Sequence, residues 1–118
     1  MNPSEIKDGL VRALEQAQEG KTLVDLERML SDGSALLWTG NRGVLVTILY
    51  DSPEGRYLHV WLGTGDMAEL VSMEPGISAW ARARGCRFAS INGRKGWARV
   101  FKRIGFVYDG GELRKYYV

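Results

Sequence analysis

At 118 residues the chain is long enough to bury one core and too short for two, and its 45% hydrophobic and 25% charged residues are ordinary for a globular domain. One cysteine (Cys86) and one histidine (His59) exclude a disulfide framework and a multi-cysteine zinc site, so no metal is expected, and no apolar run approaches the roughly twenty residues of a membrane span. The net charge of +2 is unevenly spread: Met1 to Ser34 holds seven acidic and four basic residues, whereas Pro75 to Tyr108 holds eight basic and no acidic ones.

Asn2, Pro3 and Glu5 form a helix start, with a cap, a proline at the first helical position and a carboxylate three residues after the cap. Ile6, Leu10, Leu14 and Ala17, with Val11 and Ala13 alongside, make one apolar stripe that Gly20 stops. Thr22 with Asp25 opens a second helix, whose stripe of Leu23, Leu26, Met29 and Leu30 closes at Asp32-Gly33. Neither helix carries a pattern that points to chemistry.

Three strands are predicted next, over Ala35 to Thr39, Gly43 to Tyr50 and Arg56 to Leu62. Short turns at Gly40-Asn41-Arg42 and at Asp51 to Gly55 make them an antiparallel meander, with the nearly continuous apolar run Val44 to Leu49 at its centre. Gly63-Thr64-Gly65 is expected to end the meander, and Asp66 with Glu69 to form the capping box of a third helix. That helix carries Met67, Leu70, Val71, Ile77, Trp80 and Ala81, with Pro75-Gly76 kinking or splitting it and Gly85 closing it.

Arg87 to Ile91 alternates as a strand. The helix before it is long enough for a right-handed crossover, so Arg56 to Leu62 and Arg87 to Ile91 are expected side by side and parallel. After the Asn92-Gly93 turn, Trp97, Val100, Phe101 and Ile104 form the apolar stripe of a fourth helix, with Arg94, Lys95, Arg99, Lys102 and Arg103 at the other positions and Gly105 at its end. Phe106 to Tyr108 and Glu112 to Val118 read as a hairpin around Asp109-Gly110-Gly111.

The run Asn92-Gly93-Arg94-Lys95-Gly96-Trp97, followed by Phe101-Lys102-Arg103-Ile104-Gly105-Phe106, resembles the last strand-helix-strand of the GNAT superfamily of acyl-CoA N-acyltransferases. Small GNAT-like proteins of tailed phages and prophages are the members it resembles in particular. Ala79 to Cys86 resembles the end of the preceding helix in that group, and the rest of the chain matches it in element order. The resemblance implies a single α/β (α+β) domain over residues 1–118, with a mixed, mainly antiparallel sheet and helices on both faces, lacking the usual first strand. It also implies acetyl-CoA as cofactor, an amine as acceptor, and binding where two adjacent strands splay apart.

Carried over residue by residue, the family's pyrophosphate loop falls on Gly63, Thr64, Gly65, Met67 and Ala68, where the glycine spacing differs and Asp66 adds a charge that repels phosphate. Asn92 and Arg94 are further cofactor candidates from the second turn. The family's tyrosine acid, four residues before the Gly-Phe pair, is Phe101 here, which holds no proton to give. Tyr108 on the hairpin is the candidate replacement, with Tyr116 and Tyr117 beside it in sequence. For the base of the central strand His59 stands alone, and a lone strand histidine is more often a packing or hydrogen-bonding residue. Cys86 reads as a small buried side chain. Arg99, Lys102 and Arg103 form a basic surface, either a solvated face or a site for a polyanion, namely the phosphates of coenzyme A or a nucleic acid. The expected activity is transfer of an acetyl group to an amine. The alternative is a non-catalytic phage module that binds a phage or host protein or nucleic acid, in the host cytoplasm or the virion.

Overall fold

The computed structural model describes residues 1–92 and 95–117, Lys95 by its backbone alone. Helix α1 (Pro3–Ala17) and helix α2 (Leu23–Asp32) both start on the expected capping boxes, with Asn2 and Thr22 accepting from the amides of Glu5 and Asp25. Gly33 ends α2 in the left-handed conformation, as predicted. α1 ends earlier than Gly20, because Gln18 itself turns left-handed at φ 53°.

Strands β1 (Leu36–Thr39), β2 (Gly43–Ser52) and β3 (Gly55–Gly65) form the antiparallel meander. β3 is longer than its sequence pattern suggests. Gly63, Thr64 and Gly65 continue the strand opposite Leu45, Val44 and Gly43, so the loop expected there is ladder instead. Helix α3 (Met67–Ala83) is continuous through Pro75, so the proline does not split it. Its start differs too: Asp66 caps by accepting from Ala68, while Glu69 leaves the expected box and accepts from the Asn41 amide across the fold.

Strand β4 (Phe88–Ile91) lies parallel to β3, as the crossover argument requires. Helix α4 (Lys95–Lys102) stops before Ile104, because 3₁₀-type bonds from Arg103 to Val100 and from Ile104 to Phe101 tighten its last turn ahead of Gly105. β5 (Val107–Asp109) and β6 (Glu112–Tyr116) make the predicted hairpin over Gly110-Gly111, both at positive φ. The sheet order is β1-β2-β3-β4-β6-β5.

Two apolar layers sandwich this sheet. α1 and α2 pack Leu10, Leu14 and Leu26 on Val44, Val46, Ile48 and Leu62. α3 and α4 pack Leu70, Ile77 and Phe101 on Leu45, Leu58, Ala89 and Ile91. Of the α4 stripe, Phe101 is buried between the rings of Trp97 and Phe106, while Trp97 and Ile104 are half-buried. Phe101→Ala should therefore destabilise the fold by about 3–5 kcal/mol, read as a lowered denaturant midpoint at unchanged m-value. A loss under about 1 kcal/mol would mean that α4 is not held by its apolar stripe.

Candidate active site

The site grows from a local irregularity in β3. Along β2 the side chains alternate regularly between the two apolar layers, but β3 carries one extra residue: Thr47 pairs with Val60 and Val46 with Leu62, leaving Trp61 bulged between them. Trp61 and Leu62 thereby both join the α1/α2 layer. At the same level β4 ends: its last rung with β3 is Ile91 opposite Val60, while β3 runs on to Gly65. The two parallel strands part there, and a cavity of about 220 Å³ lies in the fork.

Its walls come from both sides of the sheet. Ala13, Gln16 and Ala17 line it from α1 and Trp97 from α4, with Val60 to Gly63, Ile91 and Asn92 between them. The sequence makes this approach close. Gly9, Ala13 and Ala17 recur every fourth residue and so share one line of α1. A Cβ on Gly9 would collide with the Thr64 side chain, and one on Gly63 would collide with the Trp97 indole and lie 2.9 Å from Leu45 Cδ2. Small residues thus let a helix approach the sheet on one side and an indole on the other.

His59 sits one residue before this fork and is not among the cavity's walls. Its Nδ1 is 2.8 Å from Ser90 Oγ on β4, and Ser90 is fully buried. Burial pushes the His59 pKa below the ordinary imidazole value of 6.5, against weaker upward pulls from Glu112 and Glu19. The ring is therefore neutral at pH 7 and able to take a proton. Glu19, just past α1, accepts from Trp61 Nε1 at 2.8 Å.

Tyr108 is elsewhere. It is 54% exposed on the edge strand β5, with Lys102 Nζ 4.5 Å above its ring. Register shows the separation: His59, Ser90, Arg114 and Val107 form one row and Val60, Ile91, Leu113 and Tyr108 the next, so His59 and Tyr108 face opposite sides of the sheet. The structure does not bring them together as a base and acid pair. Tyr116 donates to Asp109, and the Tyr117 hydroxyl is 2.9 Å from Ser78 Oγ, so neither reaches the fork.

The other sequence candidates divide similarly. Gly63 and Asn92 line the cavity. Thr64 packs on α1, Gly65 turns at φ 110° against the Arg42 carbonyl, Met67 opens α3, and the Ala68 amide is taken by Asp66. Arg94 lies outside the described residues. Arg99, Lys102 and Arg103 are exposed around the end of α4. Cys86 is buried, and burial raises its thiol pKa, which suits packing better than nucleophilic chemistry. Among the described residues no group of three or more His, Cys, Asp or Glu side chains is placed to hold a metal ion, and no helix is long and apolar enough to cross a membrane.

Sequence reasoning missed Trp61 and the small line on α1, and it gave Ser90 no role. One signal for the first was present: Val60-Trp61-Leu62 is continuously apolar in a strand that otherwise alternates.

Comparison with family models gives no match, and neither does comparison with curated proteins. Among solved structures the fold is similar to that of FeeM, an N-acyl amino acid synthase from uncultured soil microbes, with a TM-score of 0.61 at 14% identity over 98% of this chain and 88% of that one. At this identity the likeness is one of fold. The chain shares with that acyltransferase a mixed α+β fold, built among the described residues from a six-stranded, mostly antiparallel sheet and four helices.

The depressed His59 pKa fixes the sign of an acid effect. Above 6.5 the ring is neutral folded or unfolded; as pH falls below 6.5 the unfolded chain takes the proton first, so stability is lost until the lower folded value is passed. Denaturant midpoints at pH 7.5 and 5.5 should drop for the parent and drop less for His59→Gln. Equal drops would show that His59 is not held neutral by the fold.

Proposed function

We propose that the chain is an acyl-CoA-dependent N-acyltransferase, acetyl-CoA being the expected donor, that works in the fork between β3 and β4. The observation that carries this reading is the through-sheet cavity beside His59, on a fold similar to that of an N-acyl amino acid synthase. Beyond Val60 the edge of β3 has no partner in β4. The amide-bearing arm of the donor lies along that edge like an added strand, with main-chain groups from Trp61 to Gly63 bonding to it. On this reading a main-chain N–H at the Trp61 bulge would meet the thioester carbonyl, where negative charge develops.

The acceptor amine attacks that carbonyl carbon from the α1/α2 side. Its nitrogen forms the new C–N bond, the C–S bond breaks, and the amine proton passes to His59 directly or through water. Ser90 orients the imidazole through Nδ1, leaving Nε2 for the proton. No tyrosine lines the cavity among the described residues, so the departing thiolate takes its proton from water.

The donor's phosphates fit the α3/α4 side. The start of α3 is a poor seat for them, since Asp66 already occupies the Ala68 amide with a carboxylate. Arg99, Lys102 and Arg103, exposed on that side, are the better partners.

A second reading is favoured by that same exposed basic group and by Phe101 at the acid position: a phage protein that keeps the fold as a binding or assembly module for nucleic acid or an acidic partner protein. Calorimetry with acetyl-CoA separates the two. The acyltransferase reading expects micromolar binding, about 8 kcal/mol, lost in Ala17→Phe, which fills the cavity from α1. No heat at millimolar acetyl-CoA, with salt-sensitive nucleic-acid retention that Arg99→Glu/Arg103→Glu abolishes, favours the module.

A further inference from the structure

We infer that the fork takes a donor whose acyl group is longer than acetyl, an uncharged chain of about six to eight carbons, with Ala13 and Ala17 of α1 setting the limit. This rests on the acyltransferase reading above and names the acyl group for that same cavity.

The walls decide the chemistry of the occupant. Every described residue that lines the cavity is uncharged, and all but Gln16 and Asn92 are apolar or glycine. Such walls give a charged group no partner to replace water, whereas a hydrocarbon chain gains by leaving water. The one polar atom of the Trp61 indole, Nε1, already donates to Glu19 at 2.8 Å, so its ring joins these walls as hydrocarbon surface.

The volume is held open by α1. Leu10 and Leu14 are buried and fill their share of the α1/α2 layer. At Gly9 the Thr64 side chain takes the place of a Cβ. Positions 13 and 17, on the same line of the helix, carry only methyl groups, and there the gap remains as part of the cavity. Packed interiors leave few voids larger than a water molecule, and each void costs stability. An apolar occupant of the fork offsets that cost.

Size then sets the chain length. A cavity of about 150 Å³ holds benzene, roughly 25 Å³ for each carbon. On that scale an acetyl group fills about a quarter of the 220 Å³ here, and six to eight carbons fill most of it. The acceptor needs none of this volume, because His59 is not one of the walls and the amine approaches over the His59 flank. With the phosphates on the α3/α4 side and the thioester in the fork, the acyl chain continues through the sheet and lies under α1.

A chain-length series tests this. Acetyl-, butanoyl-, hexanoyl-, octanoyl- and dodecanoyl-CoA, each below its micelle concentration, are titrated by calorimetry into the parent chain, Ala17→Leu and Ala13→Leu, with thermal melting to check that each variant folds. A fully buried methylene tightens binding about fourfold. For a cavity with open mouths we expect hexanoyl-CoA to bind at least about tenfold more tightly than acetyl-CoA, with no further gain from octanoyl to dodecanoyl. Leucine for alanine adds three side-chain carbons to the wall, so the length at which tightening stops should shorten by about three carbons in either variant. The parent series can overturn the assignment without any variant: hexanoyl-CoA no tighter than acetyl-CoA, or tightening that continues unbroken to dodecanoyl, means that the cavity does not hold the chain. A break at the parent's length in a folded variant places the chain elsewhere and overturns it too. Absence of binding by both acetyl- and hexanoyl-CoA at millimolar concentration removes the acyltransferase reading itself; acetyl-CoA binding without chain preference removes the chain assignment alone.

Discussion

The architecture depends on where the parallel pairing of β3 and β4 stops. Four rungs join Tyr57–Val60 to Phe88–Ile91, and beyond them two causes act together. The bulge at Trp61 bends β3 and sends two successive large side chains into the α1/α2 layer. The chain after Ile91 leaves β4 toward α4. A fork in a sheet exposes unpaired backbone, which is costly to bury and ready to bind an extended partner. The rest of the fold is arranged to keep this fork open yet walled: small residues of α1 above it, Trp97 below it, and apolar packing elsewhere.

The two faces of the sheet then divide the chemistry. His59 and Ser90 lie on the α1/α2 side, while Phe101, Tyr108 and the exposed basic residues belong to the α3/α4 side. The one-residue offset between the His59 and Val60 rows decides this, since adjacent positions in a strand point to opposite faces. The proposed base on one side and the proposed phosphate partners on the other suit a reaction in which donor and acceptor meet through the sheet.

Much of the fold was legible in local chemistry. Both N-terminal capping boxes, the meander turns, the parallel neighbour forced by the α3 crossover and the Gly110-Gly111 hairpin all follow from residue type and spacing. What failed locally was overridden by tertiary contacts. Gly63-Thr64-Gly65 reads as a loop because glycine is depleted in strands, yet these glycines are strand residues: position 63 has no room for a Cβ beside Trp97, and position 65 turns against the Arg42 carbonyl. The candidate site was legible only through the family resemblance, which pointed to a fork beside Arg87–Asn92. Tyr108 was a candidate acid from the predicted hairpin, and only register could show that it faces away from His59.

The central claim is that an acyl donor occupies the fork. Amide-resolved NMR during an acetyl-CoA titration tests it most directly. The account predicts saturable shifts concentrated at Trp61, Leu62, Gly63, Ile91 and Asn92 and at the Trp97 indole, with β1 and α2 unmoved. Saturating ligand that leaves these amides unchanged, or that moves only the exposed residues of α4, would contradict it.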